Sequence, residues 1–181
     1  MKTKTALVLI DVQNDYFEGG KKELFAPDKA LAAGAKILAK AREAGLTIVH
    51  VRHIAKAPGA TFFVEGTPGS EIHQGVAPRT GEKIIIKHFP NSFRETELDS
   101  VLRSAEIKRI IFCGMMSHIC VDTTVRAAKD LGYECVLIHD ACTTCDLEFA
   151  GTNILAATVH ASFMAALSGM FAEVVSSEYE I

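Results

Sequence analysis

At 181 residues, 49% of them apolar, and with a formal net charge of −3, the chain is sized for one domain spanning residues 1–181, with a core that needs no metal or disulfide staples. This balance excludes the basic footprint of a nucleic-acid binder, and no apolar run approaches the length that crosses a membrane. The five cysteines are too few and odd in number for a disulfide scaffold, and residues 1–4 lead into a short strand-like run rather than a signal peptide, so a cytoplasmic protein is expected.

Thr5-Ala6-Leu7-Val8-Leu9-Ile10 is continuously apolar, the pattern of a strand covered on both faces. It ends at Asp11, at the edge where open α/β sheets bind ligands, although a solvated Asp or a helix cap fits the same position. Pro27-Asp28 opens a helix striped by Leu31, Ala35, Leu38 and Ala41, and Gly45 stops it. A second strand follows, Leu46-Thr47-Ile48-Val49-His50-Val51-Arg52-His53, which makes a right-handed βαβ unit. Segment 54–81 is rich in Gly and Pro, and so long a loop inside a compact domain reads as a functional lid or as an oligomer contact.

Glu82-Lys83-Ile84-Ile85-Ile86-Lys87 is the third strand; a turn at 89–93 and a helix through Leu98 and Leu102 come next. Ile110-Ile111-Phe112-Cys113 is a buried strand ended by Gly114, and Ser117 reads as the N-cap of a helix carrying Val121, Val125 and Ala128. Cys120 then falls in the first turn, where the helix dipole favours a thiolate and unpaired amides can hold an oxyanion. The plainer reading is a small buried hydrophobe. Tyr133 to His139 is the fifth strand, a long helix with Leu155, Val159, Phe163, Ala166 and Leu167 inside runs to Gly169, and 171–175 is a sixth strand. This alternation specifies a three-layer α/β/α fold with a six-stranded parallel sheet, of order 3-2-1-4-5-6.

Asp11, Lys87 and Cys120 lie at the carboxyl ends of three strands. A carboxylate can take a thiol proton, an ammonium keeps that carboxylate ionised, and the Met116 and Cys120 backbone N–H groups are candidate oxyanion donors. In the expected strand order Lys87 starts roughly 10 Å from Asp11, a gap that its side chain must close. Tyr16, Phe17, Phe62, Phe63 and Phe93 are candidate apolar walls for a small cyclic or aromatic ligand.

Three separated stretches, Leu9 to Phe17 (Leu-Ile-Asp-Val-Gln-Asn-Asp-Tyr-Phe), Lys87 to Phe93 (Lys-His-Phe-Pro-Asn-Ser-Phe) and Gly114 to Thr124 (Gly-Met-Met-Ser-His-Ile-Cys-Val-Asp-Thr-Thr), resemble the isochorismatase-like cysteine hydrolases. That family includes nicotinamidases, N-carbamoylsarcosine amidases and streptothricin hydrolase, and the resemblance runs from about Leu7 to Val174. It implies a catalytic triad of Asp11, Lys87 and Cys120, a cis Met115–Met116 peptide, a small-molecule amide substrate, and association into homo-oligomers. A thiol at position 120 speaks against hydrolysis of isochorismate itself.

Nicotinamidases carry a metal-binding Asp-x-His after the second strand, where this chain has His53-Ile54-Ala55. His50 and His53 are read as facing one side of that strand, an incomplete zinc set, so no metal and no cofactor is expected and His53 becomes a polar pocket wall. A metal-assisted nicotinamidase and a non-catalytic binding protein on the same fold are the alternatives. Cys142-Thr143-Thr144-Cys145 has the spacing of a dithiol redox motif and stands as a third reading. Cys113 and Cys135 read as core residues, and His160 as structural.

Overall fold

The computed structural model describes residues 4–181, so the lead-in at residues 1–3 lies outside the described residues. In chain order the elements are β1 (Thr5–Ile10), α1 (Pro27–Glu43), β2 (Thr47–His53), β3 (Lys83–Lys87), α2 (Leu98–Ser104), β4 (Arg109–Met115), α3 (Asp122–Asp130) and β5 (Glu134–Thr143). A hairpin of β6 (Leu147–Phe149) and β7 (Thr152–Ile154) follows, then α4 (Ala156–Leu167) and β8 (Glu173–Val175). Six strands pair in parallel in the order β3-β2-β1-β4-β5-β8, the expected sheet with β8 as its sixth strand.

The unbroken apolar run of β1 is explained by cover on both faces. Leu7 and Leu9 pack with Ile37, Leu38 and Ala41 of α1. Ala6, Val8 and Ile10 pack with Leu98 and Leu102 of α2, Val125 of α3 and Leu167 of α4. Each such Leu or Ile contributes about 1.5–3 kcal/mol on burial, so the strand that positions Asp11 is also among the most strongly anchored. Pro27 occupies the start of α1, where its missing N–H has no helical partner to lose, and Gly45 turns the chain out at φ 67°.

Local detail departs from the expected pattern at three places. The buried stripe of α1 is Ala30, Gly34, Ile37, Leu38 and Ala41, with Leu31 and Ala35 at its half-buried rim. β5 runs on past a register shift to Thr143, because Gly114 pairs with Cys142 and Met115 with Thr143. The last helix begins only at Ala156, after the hairpin, with Asp146 Oδ1 accepting the Ala156 N–H at 2.7 Å. Leu155 and Ala166 are therefore exposed, and the stripe of α4 is Val159, Met164 and Leu167. A short antiparallel hairpin has too few residues to show its period, which is why it merged with the helix in the sequence.

Candidate active site

β1 and β4 are neighbours at the centre of the sheet, and chain connections leave in opposite directions from them, the switch point where such sheets open a crevice. Asp11 follows β1 in the left-handed region at φ 51°, a conformation Asp tolerates better than most residues. Its N–H still bonds to the Val51 carbonyl at 3.0 Å, and its side chain is fully buried. β4 reaches this point only because residue 114 is glycine: at φ 131°, a Cβ there would sit 2.0 Å from the Ile10 carbonyl oxygen.

Lys87 closes the gap across β2. Its Nζ lies 2.7 Å from Asp11 Oδ2, with both side chains fully buried, and it donates to the Pro90 carbonyl at 3.0 Å. Burial pulls the ammonium's pKa down, but Asp11 and the Cys120 sulfur outweigh it, and the pKa ends up raised. The ammonium stands off hydrogen-bond alignment, so among the described residues neither carboxylate oxygen has an aligned donor. A buried ion pair with acceptors left open is weak as a stability device, whereas it suits a group that must receive a proton.

Cys120 lies in a π-helical turn, Ser117–Val121, between β4 and α3, and its side chain is buried. Its Sγ, an Asp11 carboxylate oxygen and a His53 ring nitrogen all lie within 4.8 Å of one another. The expected thiolate is corrected here. Burial, with the Asp11 charge adding and Lys87 opposing, pushes the Cys120 thiol up to about 12. Desolvation is the largest of these influences, and the turn that carries Cys120 is π rather than α. Ser117 is not a cap either: its Oγ pairs with His160 Nδ1 at 2.8 Å, which ties the turn to α4. The Met115–Met116 peptide bond is cis.

A family model for the isochorismatase domain matches residues 5–179. The chain belongs to the isochorismatase family. It is 45% identical over 174 residues to the isochorismatase family protein YddQ of Bacillus subtilis, covering 96% of this chain and 97% of that protein. It is also 36% identical over 147 residues to a streptothricin hydrolase of Streptomyces noursei, covering 80% of this chain but only 51% of that enzyme. A crystal structure assigned to the isochorismatase hydrolases, from Oleispira antarctica, superposes with a TM-score of 0.95 at 50% identity, covering 98% of this chain and 96% of that one.

In this member of the isochorismatase family, the residues just after Asp11 fasten segment 54–81 over the site. Gln13, fully buried, donates to the His53 and Ser70 carbonyls at 2.9 and 2.8 Å and accepts the His53 N–H at 2.7 Å. Asn14 donates to the Pro68 carbonyl at 2.8 Å, and Asp15 accepts the Phe63 N–H at 2.6 Å. Gly69 is pressed so close to the Asp15 carboxylate that a Cβ would lie 2.1 Å from it. Sequence reasoning used this Gln-Asn-Asp run only as part of the family resemblance and gave it no structural role. Its signal is a cluster of short polar side chains, placed where a long loop has no other way to satisfy its backbone.

The fastened loop brings Phe62 and Phe63 against Tyr16, with ring centroids 6.4 and 5.0 Å apart for Tyr16–Phe62 and Phe62–Phe63, and 4.7 Å for Tyr16–Phe63. Burial and the nearby Cys120 and Asp11 raise the Tyr16 phenol well above its ordinary value, so it stays a neutral donor. His53 sits 5.9 Å from Phe63, and burial, with Asp11 opposing, lowers its pKa, which keeps the ring neutral. Phe17 is buried against His73 at 4.1 Å, as part of the loop's footing.

Phe93 stacks on Tyr133, at 6.2 Å and 18°, and packs against the same core cluster as Cys120, because the turn at 89–93 is tied to α3 through Ser92 and Thr124. Two expectations are corrected. His50 and His53 face opposite ways, since three residues along a strand is an odd step; His50 Nε2 meets Glu82 Oε2 at 2.9 Å on the α1 side. Cys142 and Cys145 have separate partners: the buried Cys142 Sγ donates to the Ile138 carbonyl at 3.4 Å, while Cys145 Sγ lies 4.0 Å from Met116 Sδ. All the cysteines are free thiols.

Proposed function

We propose that this chain is a cysteine amidohydrolase that cleaves a small, non-peptide C–N bond through a thioacyl intermediate. The observation that carries this reading is the approach of an Asp11 carboxylate oxygen to Cys120 Sγ, within 4.8 Å, in a buried crevice where Lys87 holds Asp11 at 2.7 Å. More distant relatives named ureidoacrylate amidohydrolase support the bond type.

With its pKa near 12, the Cys120 thiol is protonated at rest, so attack needs a base in the same step. Asp11 takes the Sγ proton as sulfur bonds to the carbonyl carbon. The Met116 and Cys120 backbone N–H groups receive the oxyanion. Collapse breaks the C–N bond, and Asp11 returns the proton to the departing nitrogen. Asp11 then removes a proton from water as it attacks the thioester, and the acid and the thiol are released. Lys87 holds Asp11 anionic between these transfers. Tyr16, Phe62, Phe63 and His53 form the substrate wall, with Phe17 behind them. The hydrolase unit is the whole chain, 1–181, placed in the cytoplasm and working as a homo-oligomer without a cofactor. Among the described residues, no helix is long and apolar enough to cross a membrane.

The nicotinamidase alternative loses its footing because His50 and His53 lie on opposite faces of the sheet. A screen of small amides and ureido compounds for ammonia release tests the proposal, with Cys120→Ala and Asp11→Asn as controls. Turnover that disappears in both variants supports it. Release that persists without the thiol, or iodoacetamide labelling of Cys120 near pH 7 that is unchanged by Asp11→Asn, overturns it.

A further inference from the structure

The chain is 23% charged, yet residues 149–172 hold no Asp, Glu, Lys or Arg. Half of that run is α4, and the helix divides cleanly. Ala156, Val159, Met164 and Leu167 are buried, whereas Ala157, Thr158, Ala161, Ser162, Ala165 and Ala166 face outward and are exposed. Larger apolar side chains stand bare at either end: Leu155 is 59% exposed before the helix and Met170 73% exposed after it. No other α-helix among the described residues presents such a face, because α1 exposes Lys29 and Lys36, α2 exposes Arg103, and α3 exposes Lys129 and Asp130. So long an exposed stretch without charge is at odds with a surface made only to meet water.

Charge and shape together select the occupant. A charged partner would lose water over α4 and find nothing there to pair its ions. A helix that lies on a membrane surface carries Lys or Arg on its polar face, and α4 carries neither. A second copy of the same face brings no charge to bury. About a two-fold axis through the middle of α4 the helices run antiparallel, so Leu155 of one protomer lies towards Met170 of its partner and the small residues meet in between. Small residues let two helix axes approach to about 8 Å. α4 is about 18 Å long, and pairing it together with its bulky ends covers on the order of 1,000 Å2 in total, the lower end for a specific interface.

We propose that the outward face of α4 joins two copies of this chain, antiparallel, about a two-fold axis near Ala161 and Ser162. The same helix braces the crevice from behind: His160 Nδ1 meets Ser117 Oγ at 2.8 Å, and the Phe163 ring lies 5.9 Å from that of His118. Pairing therefore steadies the turn that carries Cys120. Its benefit to turnover rests on the amidohydrolase reading, whereas the pairing itself does not.

Light scattering of the full-length protein eluting from a sizing column reads the pairing without turnover. The expected mass is that of two chains or an even multiple, and it falls by at least half in Ala161→Lys and in Ala161→Glu. Position 161 is exposed in the single chain, so both variants keep the fold, which circular dichroism checks. Mixing the two variants should restore the pair, because a two-fold contact then sets opposite charges near one another. Under mild oxidation Ser162→Cys should link into a dimer, while Ala39→Cys, on the exposed side of α1, should not. A wild-type mass of one chain at about 100 μM, a mass unchanged in both Ala161 variants, or failure of Ser162→Cys to cross-link overturns the interface. So does a single chain that floats with phosphatidylcholine vesicles, which would assign the face to lipid. A chain that pairs through α4 yet hydrolyses no amide refutes the functional reading and leaves the interface standing.

Discussion

β2 serves two carboxylates with its two histidines, and the contrast between them separates a fastening from the crevice proposed to do the chemistry. On the α1 side, Glu82 accepts from Arg42 Nε at 2.7 Å and Nη2 at 2.9 Å and from the Arg79 N–H at 2.8 Å, and meets His50 at 2.9 Å. Burial opposes its ionisation, but these partners together hold Glu82 at about 2. Its oxygens are saturated, and nothing further can be asked of them. At the crevice, Asp11 is more deeply buried and has an ion pair without an aligned hydrogen bond. A structural ion network uses up its acceptors, whereas a site meant to accept a proton keeps them open.

The largest effect expected is in the crevice. Cys120→Ala should lower kcat by about 10⁴-fold or more, while its melting curve shows a loss of only about 1 kcal/mol. A comparable loss of stability and activity together would make Cys120 a packing residue and erase the contrast. Gly114→Ala should damage both properties, at about 3 kcal/mol or more by denaturant titration, because its Cβ has nowhere to go beside the Ile10 carbonyl.

Glu82→Gln tests the other side. It should cost about 1–3 kcal/mol and leave kcat/KM within about twofold, read by thermal melts and steady-state assays. Because Glu82 is held at about 2 instead of the ordinary 4.5, it stabilises the fold above pH 4.5, and that contribution is lost as pH falls from 4.5 towards 2. Burial, with Glu82 opposing, lowers the pKa of His50, which adds a loss of stability as pH falls below the ordinary 6.5. The acid limb of the Tm profile should therefore flatten between pH 4.5 and 2 in the Gln variant; an unchanged limb would show that Glu82 is not the titrating support.

Asp11→Asn sharpens the comparison through sign. It removes the base but also the anion that raises the thiol's pKa. Iodoacetamide labelling of Cys120 should then be slower than wild type near pH 7 and faster in alkaline buffer. Two parallel pH profiles without a crossing would contradict Asp11 as the charged neighbour of the thiol. The smallest effect is expected at Phe93→Leu, which should shift KM by less than about twofold while costing about 1 kcal/mol, since its ring packs on Tyr133.

The sheet order was legible because buried parallel strands are written as continuous apolar runs and right-handed crossovers leave few arrangements. That Asp11, Lys87 and Cys120 meet in one crevice was legible because each follows a strand. The fastening of segment 54–81 by Gln13, Asn14 and Asp15 was not, since its partners lie 40 to 57 residues away. The facing of His50 and His53 was available from strand period alone and was misread.

The amino-acid order by itself determined which side chains stand at the strand ends and which element each one follows, because periodicity and turn chemistry act over a few residues. Tertiary structure decided the rest: that Lys87 reaches Asp11, that Ser117 answers to His160 rather than to its own helix, and that burial pushes the Cys120 thiol's pKa up. Those outcomes depend on what covers each group and excludes water from it, and desolvation is a property of the packed whole.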